Sequence, residues 1–366
     1  MKIFELDKTH IKKIVNKGNN INNYITNKSI YTKLLEIKLL IDKYQKKWDI
    51  YKKFKNDYEY VYTKYDIYRN VCNILPISRS YFKLHEILYD LDILNSDLNN
   101  DLNICCIAEG PGGFLQCLSD YTQTNNINIE NIYGITLVSE DMDVPSWNPK
   151  IKKIKNINLL YGKDNTGDIC NRENVNDMIE KIDKCNLITC DGGIDYSDNY
   201  NLQESNSYEF IYNEIFLSLQ IQKNGGTLIL KMFDIIYYSS IQLIYILYNC
   251  YETVNIFKPH TSRNTNSEKY IICKNYKYNK IVIDFLKDNY NYKNLIYIPK
   301  SFLDDIKFYN QVYIENQIFK INSVLDLISS SNIINKPSKY QINKAIEWCK
   351  TYNLDINKKC VYLKTF

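Results

Sequence analysis

The chain has 366 residues, of which 45% are hydrophobic and 24% charged, with a formal net charge of +4. That content fills a sizeable core, suits one large domain with additions or two domains, and excludes a uniformly basic nucleic-acid coat. Tyrosine is extreme at 34 residues, and Asn, Ile and Lys are abundant, the bias of an AT-rich genome such as that of a large DNA virus or a protist. No uninterrupted apolar segment reaches bilayer-spanning length, and the N-terminus shows no apolar stretch ahead of a small-residue cleavage site, so an intracellular protein with no membrane partner is expected. The 11 cysteines include no Cys-x-x-Cys pair and there are 3 histidines (His10, His85 and His260). Reduced core thiols and no metal site are expected.

Residues 1–75 read as a polar, helical extension, and Pro76 marks a boundary. A helix follows from Tyr81, with Phe82, Leu84, Ile87, Leu88 and Leu91 at helical spacing and Lys83 in its first turn. Strands are predicted at 103–108, 131–137, 154–160, 186–190, 226–232, 252–257 and 269–274. Helices are predicted at 113–122, 173–183, 204–222 and 235–249. Seven strands alternating with helices give an α/β fold, a mainly parallel sheet with helices on both faces. The last two strands are too closely linked for a crossover helix and should pair antiparallel. Residues 279–366 read as a mostly helical addition, with Ile281, Ile283, Phe285 and Leu286 as apolar positions and a surface turn at 329–332 before Pro337.

The strand ends carry the chemistry. After the first strand comes Glu109-Gly110-Pro111-Gly112-Gly113-Phe114, opening a helix. Ligands of a doubly wound sheet bind beyond the carboxyl ends of strands, glycines admit close backbone approach, and the free N–H groups of a helix start favour a carboxylate. The string is neither Gly-x-Gly-x-x-Gly nor a Walker loop. It suits an amino-acid-like carboxylate attached to adenosine, a description that S-adenosylmethionine matches, with an ordinary tight turn as the alternative. Asp168, after the third strand, could accept from an adenine amino group or simply punctuate a turn. Asp191 ends the fourth strand at the central crevice, or caps the following turn. Lys231 lies at the end of the fifth strand, where packing gives a lysine no reason. Glu268 begins the last strand after a polar loop holding Ser262, Arg263 and Asn266. Charges at the rim of an open sheet are expensive to bury and are usually paired or functional.

Taken in order, Ser78-Arg79-x-Tyr81-Phe82-Lys83, Glu109-x-Pro111-Gly112-Gly113-Phe114, Thr166-Gly167-Asp168-Ile169, Asp191-Gly192-Gly193, Lys231-x-Phe233-Asp234 and Lys258-Pro259-x-x-Ser262-Arg263-x-x-Asn266-Ser267-Glu268-x-Tyr270 resemble the FtsJ/RrmJ-type ribose 2′-O-methyltransferases. The likeness covers residues 76–276. It is greatest to the eukaryotic and viral mRNA cap 2′-O-methyltransferases, because bacterial rRNA relatives carry a shorter last string. The resemblance implies a Rossmann-like methyltransferase fold, with a seven-stranded sheet containing one antiparallel strand and with helical additions at 1–75 and 277–366. It implies S-adenosylmethionine held at Glu109, Gly110, Pro111, Gly112, Gly113, Phe114, Asp168 and Asp191, and a catalytic tetrad of Lys83, Asp191, Lys231 and Glu268. The family's commoner first motif has an Asp near the position of Cys106, and here Glu109 supplies the carboxylate.

The implied substrate is the 5′ end of capped mRNA, methylated on the first transcribed ribose (cap-0 to cap-1). Ser262, Arg263 and Asn266 either hold RNA or stabilise their own loop. Capping or transcription machinery would be the partner, in the cytoplasm, a viral factory or virion, or the nucleus. Lys231 is the candidate base. Lys83 would lower its pKa while Asp191 and Glu268 would raise it; a charged Lys231 would instead steer the hydroxyl. The rival readings are an rRNA ribose 2′-O-methyltransferase, a non-catalytic RNA-binding subunit of a capping complex, and a small-molecule O-methyltransferase.

Overall fold

The computed structural model describes residues 1–18, 27–63, 66–94, 102–141, 144–193, 200–289, 295–330 and 336–364. Its strands are β1 (Ile3–Glu5), β2 (Asn16–Gly18), β3 (Leu102–Ile107), β4 (Ile129–Ile135), β5 (Ile157–Leu160), β6 (Cys185–Cys190), β7 (Gln222–Met232), β8 (Tyr251–Phe257), β9 (Lys269–Tyr276) and β10 (Leu295–Ile296). Its helices are α1 (Lys28–Asp42), α2 (Gln45–Phe54), α3 (Ser80–Asp90), α4 (Gly113–Thr124), α5 (Arg172–Lys181), α6 (Gln203–Asn206), α7 (Tyr208–Ile221), α8 (Tyr238–Tyr248), α9 (Lys280–Asp288), α10 (Lys300–Ser329) and α11 (Lys339–Thr351). Part of the turn expected at 329–332 lies outside the described residues.

An eight-stranded sheet runs in the order β1-β8-β9-β7-β6-β3-β4-β5. Strands β5, β4, β3, β6 and β7 are mutually parallel. Parallel strands are covered on both faces, which explains their unbroken apolar runs: Ile104, Cys105, Cys106 and Ile107 of β3 are all 0% exposed. Strand β9 enters antiparallel between β7 and β8, as the short connection requires.

The seven expected strands are all present, and the sheet has one more. Strand β1 arises within the segment expected to be helical and pairs antiparallel with β8, Ile3 opposite Phe257 and Glu5 opposite Asn255. Three residues are too few to show a hydrophobic period. They form a strand because the open edge of β8 offers backbone groups in need of partners.

Two compact units divide the chain, each built from three segments. One comprises Met1–Thr26, Ile93–Lys258 and Glu268–Asn310; the other comprises Asn27–Asp92, Pro259–Ser267 and Gln311–Phe366. The boundaries expected at 76 and 276 therefore fall inside segments rather than at seams. The first unit holds the sheet. The second is helical and packs Leu34, Phe82, Leu84, Leu88, Ile342 and Trp348 into a core of its own. No described helix is long and apolar enough to cross a membrane.

Candidate active site

The chain runs from β3 outward through β4 and β5, then returns to place β6 on the other side of β3. The strand order thus reverses between β3 and β6, and the crevice beyond their carboxyl ends is where such sheets bind ligands. Glu109 follows β3, Asp191 follows β6, Lys231 lies on β7, and Glu268 precedes β9. Tyr270 stands opposite Lys231 in the β7–β9 register. Sheet topology therefore brings three of the four predicted tetrad residues to one rim.

Lys231 and Asp191 form a buried ion pair. Lys231 Nζ lies 3.3 Å from Asp191 Oδ1, with the side chains 10% and 11% exposed. The same ammonium donates to the Asp191 carbonyl at 2.6 Å, and the Tyr270 hydroxyl donates to Asp191 Oδ1 at 2.8 Å. Burial pulls the Lys231 pKa down, but the charges of Asp191 and Glu268 outweigh it, with Glu214 adding to them only when ionised, and the net shift is upward. Within this unit the carboxylates outweigh burial and hold Lys231 as an ammonium at neutral pH. Burial, then Asp191 and Glu268, hold the Tyr270 phenol well above its usual range, so it stays a neutral donor. The Glu268 carbonyl accepts from Lys258 Nζ at 2.5 Å.

The glycine turn is built around Glu109. Its Oε1 accepts from the Phe114 amide at 2.5 Å, so one amide of the first turn of α4 is served by the chain's own carboxyl. Gly112 has φ +112, and a Cβ there would overlap the Ile151 side chain. The Gly110 amide donates to Thr136 Oγ1 at 3.1 Å. Phe114 is fully buried, its ring 6.2 Å from that of Tyr270. Asp168 Oδ1 accepts from the Cys170 amide at 2.8 Å, an Asx turn. Two further residues border this region without any motif to announce them: Trp147, beside Gly112, and Glu214 of α7.

Lys83 and the polar loop belong to the second unit. Lys83 is half-buried in the first turn of α3. Arg263 is engaged with Glu59, its Nη2 2.7 Å from Oε1 and its Nε 3.0 Å from Oε2. Ser262 is buried, with its hydroxyl 3.5 Å from Asn266 Oδ1. Glu86, also buried, accepts from the His260 and Thr261 amides at 2.8 and 2.7 Å and from the Trp348 indole at 3.0 Å. These bonds tie the loop to the rest of the second unit.

Residues 76–276 match the FtsJ-like methyltransferase family model. This chain belongs to the FtsJ-like methyltransferase family. It is 28% identical over 231 residues to the zebrafish (Danio rerio) protein named cap-specific mRNA (nucleoside-2′-O-)-methyltransferase 2, a match covering 57% of this chain and 30% of that one. It is 30% identical over 223 residues to the cap-specific mRNA (nucleoside-2′-O-)-methyltransferase of Autographa californica nuclear polyhedrosis virus, covering 61% of this chain and 76% of that one. The match thus spans about a third of the length of the zebrafish relative. Among solved structures, a putative ribosomal RNA methyltransferase of Plasmodium falciparum is 24% identical, covering 54% of this chain and 97% of that one, with a TM-score of 0.41.

Membership in this family makes S-adenosylmethionine the methyl donor. The residues fit such a group. Glu109 is 3% exposed, and its Oε2 has no hydrogen-bond partner among the described residues. Trp147 Nε1, beside the same turn, is likewise buried and unpartnered. Orphaned buried polar atoms at a strand's carboxyl end are what a polar ligand would satisfy. The cofactor would be held by Glu109, the Gly110–Gly113 backbone, Asp168 and Asp191.

Proposed function

We propose that the protein is a cap-specific RNA ribose 2′-O-methyltransferase that methylates the first transcribed nucleotide. The observation that carries this reading is the buried Lys231–Asp191 pair at the switch-point rim, held by Tyr270 and bordered by Glu268. The relatives named for cap methylation support the choice of substrate, as does the long string from Lys258 to Tyr270. When bound, S-adenosylmethionine supplies a methyl group on an electron-poor sulfonium. Everything else falls to the chain. A ribose hydroxyl holds its proton at neutral pH and needs orientation and a path for that proton. Lys231, as an ammonium, donates to the hydroxyl oxygen and aims its remaining lone pair. It can take up the hydroxyl proton only by shedding one of its own, and Asp191, at 3.3 Å, stands ready to receive it. Tyr270 keeps Asp191 in that position. Lys83 and Glu268 complete the proposed tetrad as orienting charges.

The test is transfer from labelled donor to short RNAs that differ only in their cap, followed by mapping of the methylated ribose. Capped RNA should be labelled at the first nucleotide. Equal labelling of uncapped RNA would favour the ribosomal reading. Lys231→Ala should lower transfer by about 10²- to 10⁴-fold while retaining cofactor binding. Undiminished transfer would remove Lys231 from the mechanism.

A further inference from the structure

In the first unit, four carboxyls gather around Lys231. Asp191 meets Lys231 directly, Glu268 acts on it through its charge, Glu214 would do so once ionised, and Glu109 lies within the field of both Asp191 and Lys231. The group is not arranged to hold a metal ion. Glu214 takes no part in the proposed methyl transfer. It sits in the middle of α7, 1% exposed, and neither of its carboxyl oxygens makes a hydrogen bond to a described residue. Gly192 packs against it and against the Phe210 ring. The described titratable groups facing it are Lys231 on β7, Asp191 and Cys190 at the end of β6, and Cys170 ahead of α5; the Gly192 amide adds weak support to the charged form. Only Lys231 among them is a cation, and Asp191 already claims it. A carboxyl so buried and so poorly served is stable only with its proton on. Burial first, and then Asp191, hold both Glu214 and Glu109 well above the usual carboxylate range.

The methyl donor and its spent product differ in one respect that this cluster can read. Both carry the same amino and carboxyl groups, but the donor has a sulfonium charge and the product a neutral thioether. We propose that Glu214 is a specificity-determining residue, which gives up its proton when the donor's positive charge enters the cluster and keeps it when the product is bound. One proton passes to solvent for each positive charge taken in, and no covalent bond changes. The site would thereby hold the donor more tightly than the product, and increasingly so as pH rises, by up to about tenfold per pH unit while Glu214 titrates. The inference rests on S-adenosylmethionine being the cofactor, as family membership gives.

The experiment is calorimetric titration of the full chain with S-adenosylmethionine and with S-adenosylhomocysteine, each in buffers of different ionisation enthalpy, so that the heats count protons. The donor should release more protons than the product, by up to about one. Glu214→Gln, a neutral isostere, should reduce that excess and flatten the pH dependence of the donor-to-product affinity ratio. Glu209→Gln, on the exposed side of the same helix, should change neither. Equal proton counts for the two molecules, or an excess that survives Glu214→Gln, would overturn the proposal. If Glu214→Gln does not fold, Glu109→Gln decides: an excess that persists without Glu109 assigns the proton to Glu214, and an excess that vanishes refutes that assignment. Failure of either molecule to bind would instead count against the cofactor reading.

Discussion

Asp191 is the residue on which the rim depends, because its one carboxylate serves both Lys231 and Tyr270. Tyr270→Phe removes the hydroxyl and leaves the ring packed beside Phe114. A hydrogen bond to a charged group contributes about 1.5–3 kcal/mol, so the variant should lose up to that much stability in urea denaturation and transfer methyl groups more slowly at unchanged donor affinity. Glu59 plays the comparable part in the second unit. It is 0% exposed and holds Arg263, Arg79 and Asn56. Burial pushes its pKa up, but the two arginines push harder, and the net shift is downward from 4.5. Its stabilisation is therefore complete above the unfolded-state value and is lost as pH falls through the depressed folded value. Glu59→Gln should cost about 3–5 kcal/mol near neutral pH and much less in acid, as read by denaturant midpoints.

At the scale of elements, the apolar strand runs gave the sheet away, since parallel strands buried on both faces need continuous hydrophobic stretches. Polar margins were harder to place. Strand β7 starts at Gln222, four residues before its predicted start at 226, because its first turns, Lys223-Asn224-Gly225, are exposed. The helix predicted over 204–222 is two helices, broken where the Ser207 hydroxyl bonds back to the Gln203 carbonyl at 2.5 Å. Strand-end motifs made Asp191, Lys231 and Glu268 legible, whereas Glu214 lies inside a helix with no motif. Its signal was there nonetheless: one acid within a helix apolar on every side, from Ile211 to Leu219, has no solvent face to occupy. Glu204 of α6 is a second buried acid. Its Oε1 accepts from the Ile236 and Tyr237 amides at 2.7 and 2.8 Å, clasping the loop that follows the Lys231 strand. Burial, with Asp234 adding to it, pushes its pKa up to about 7. The folded state then binds more protons than the unfolded one between 4.5 and that value, so this group's stabilisation is full in acid and lost as pH rises through neutrality. Thermal melts should show stability falling by up to about 3 kcal/mol across that window, and Glu204→Gln, which keeps the accepting oxygen, should remove the slope.

For the whole molecule, all eleven cysteines are free, and only Cys170 is not buried. A thiol reagent should therefore modify about one cysteine rapidly in the native protein and all eleven after unfolding; fast native modification of several would contradict the packing described. The same buried thiols fill the central strands, which is why the sequence reading of Cys105, Cys106, Cys190 and Cys273 as core residues matches their positions. The two-unit organisation was not legible, because it depends on which distant segments pack together and not on any local pattern. Strand β1 shows what such packing demands during synthesis. Ile3 is made well before its partner in the sheet, Phe257. At roughly 5–20 residues per second, a nascent chain spends on the order of tens of seconds with that strand made and its place not yet built. Through that interval β1, whose place beside β8 is not yet made, is the unpaired strand, and it can be paired by another chain. Crowded or slow synthesis should expose that weakness first, as pairing between copies through β1.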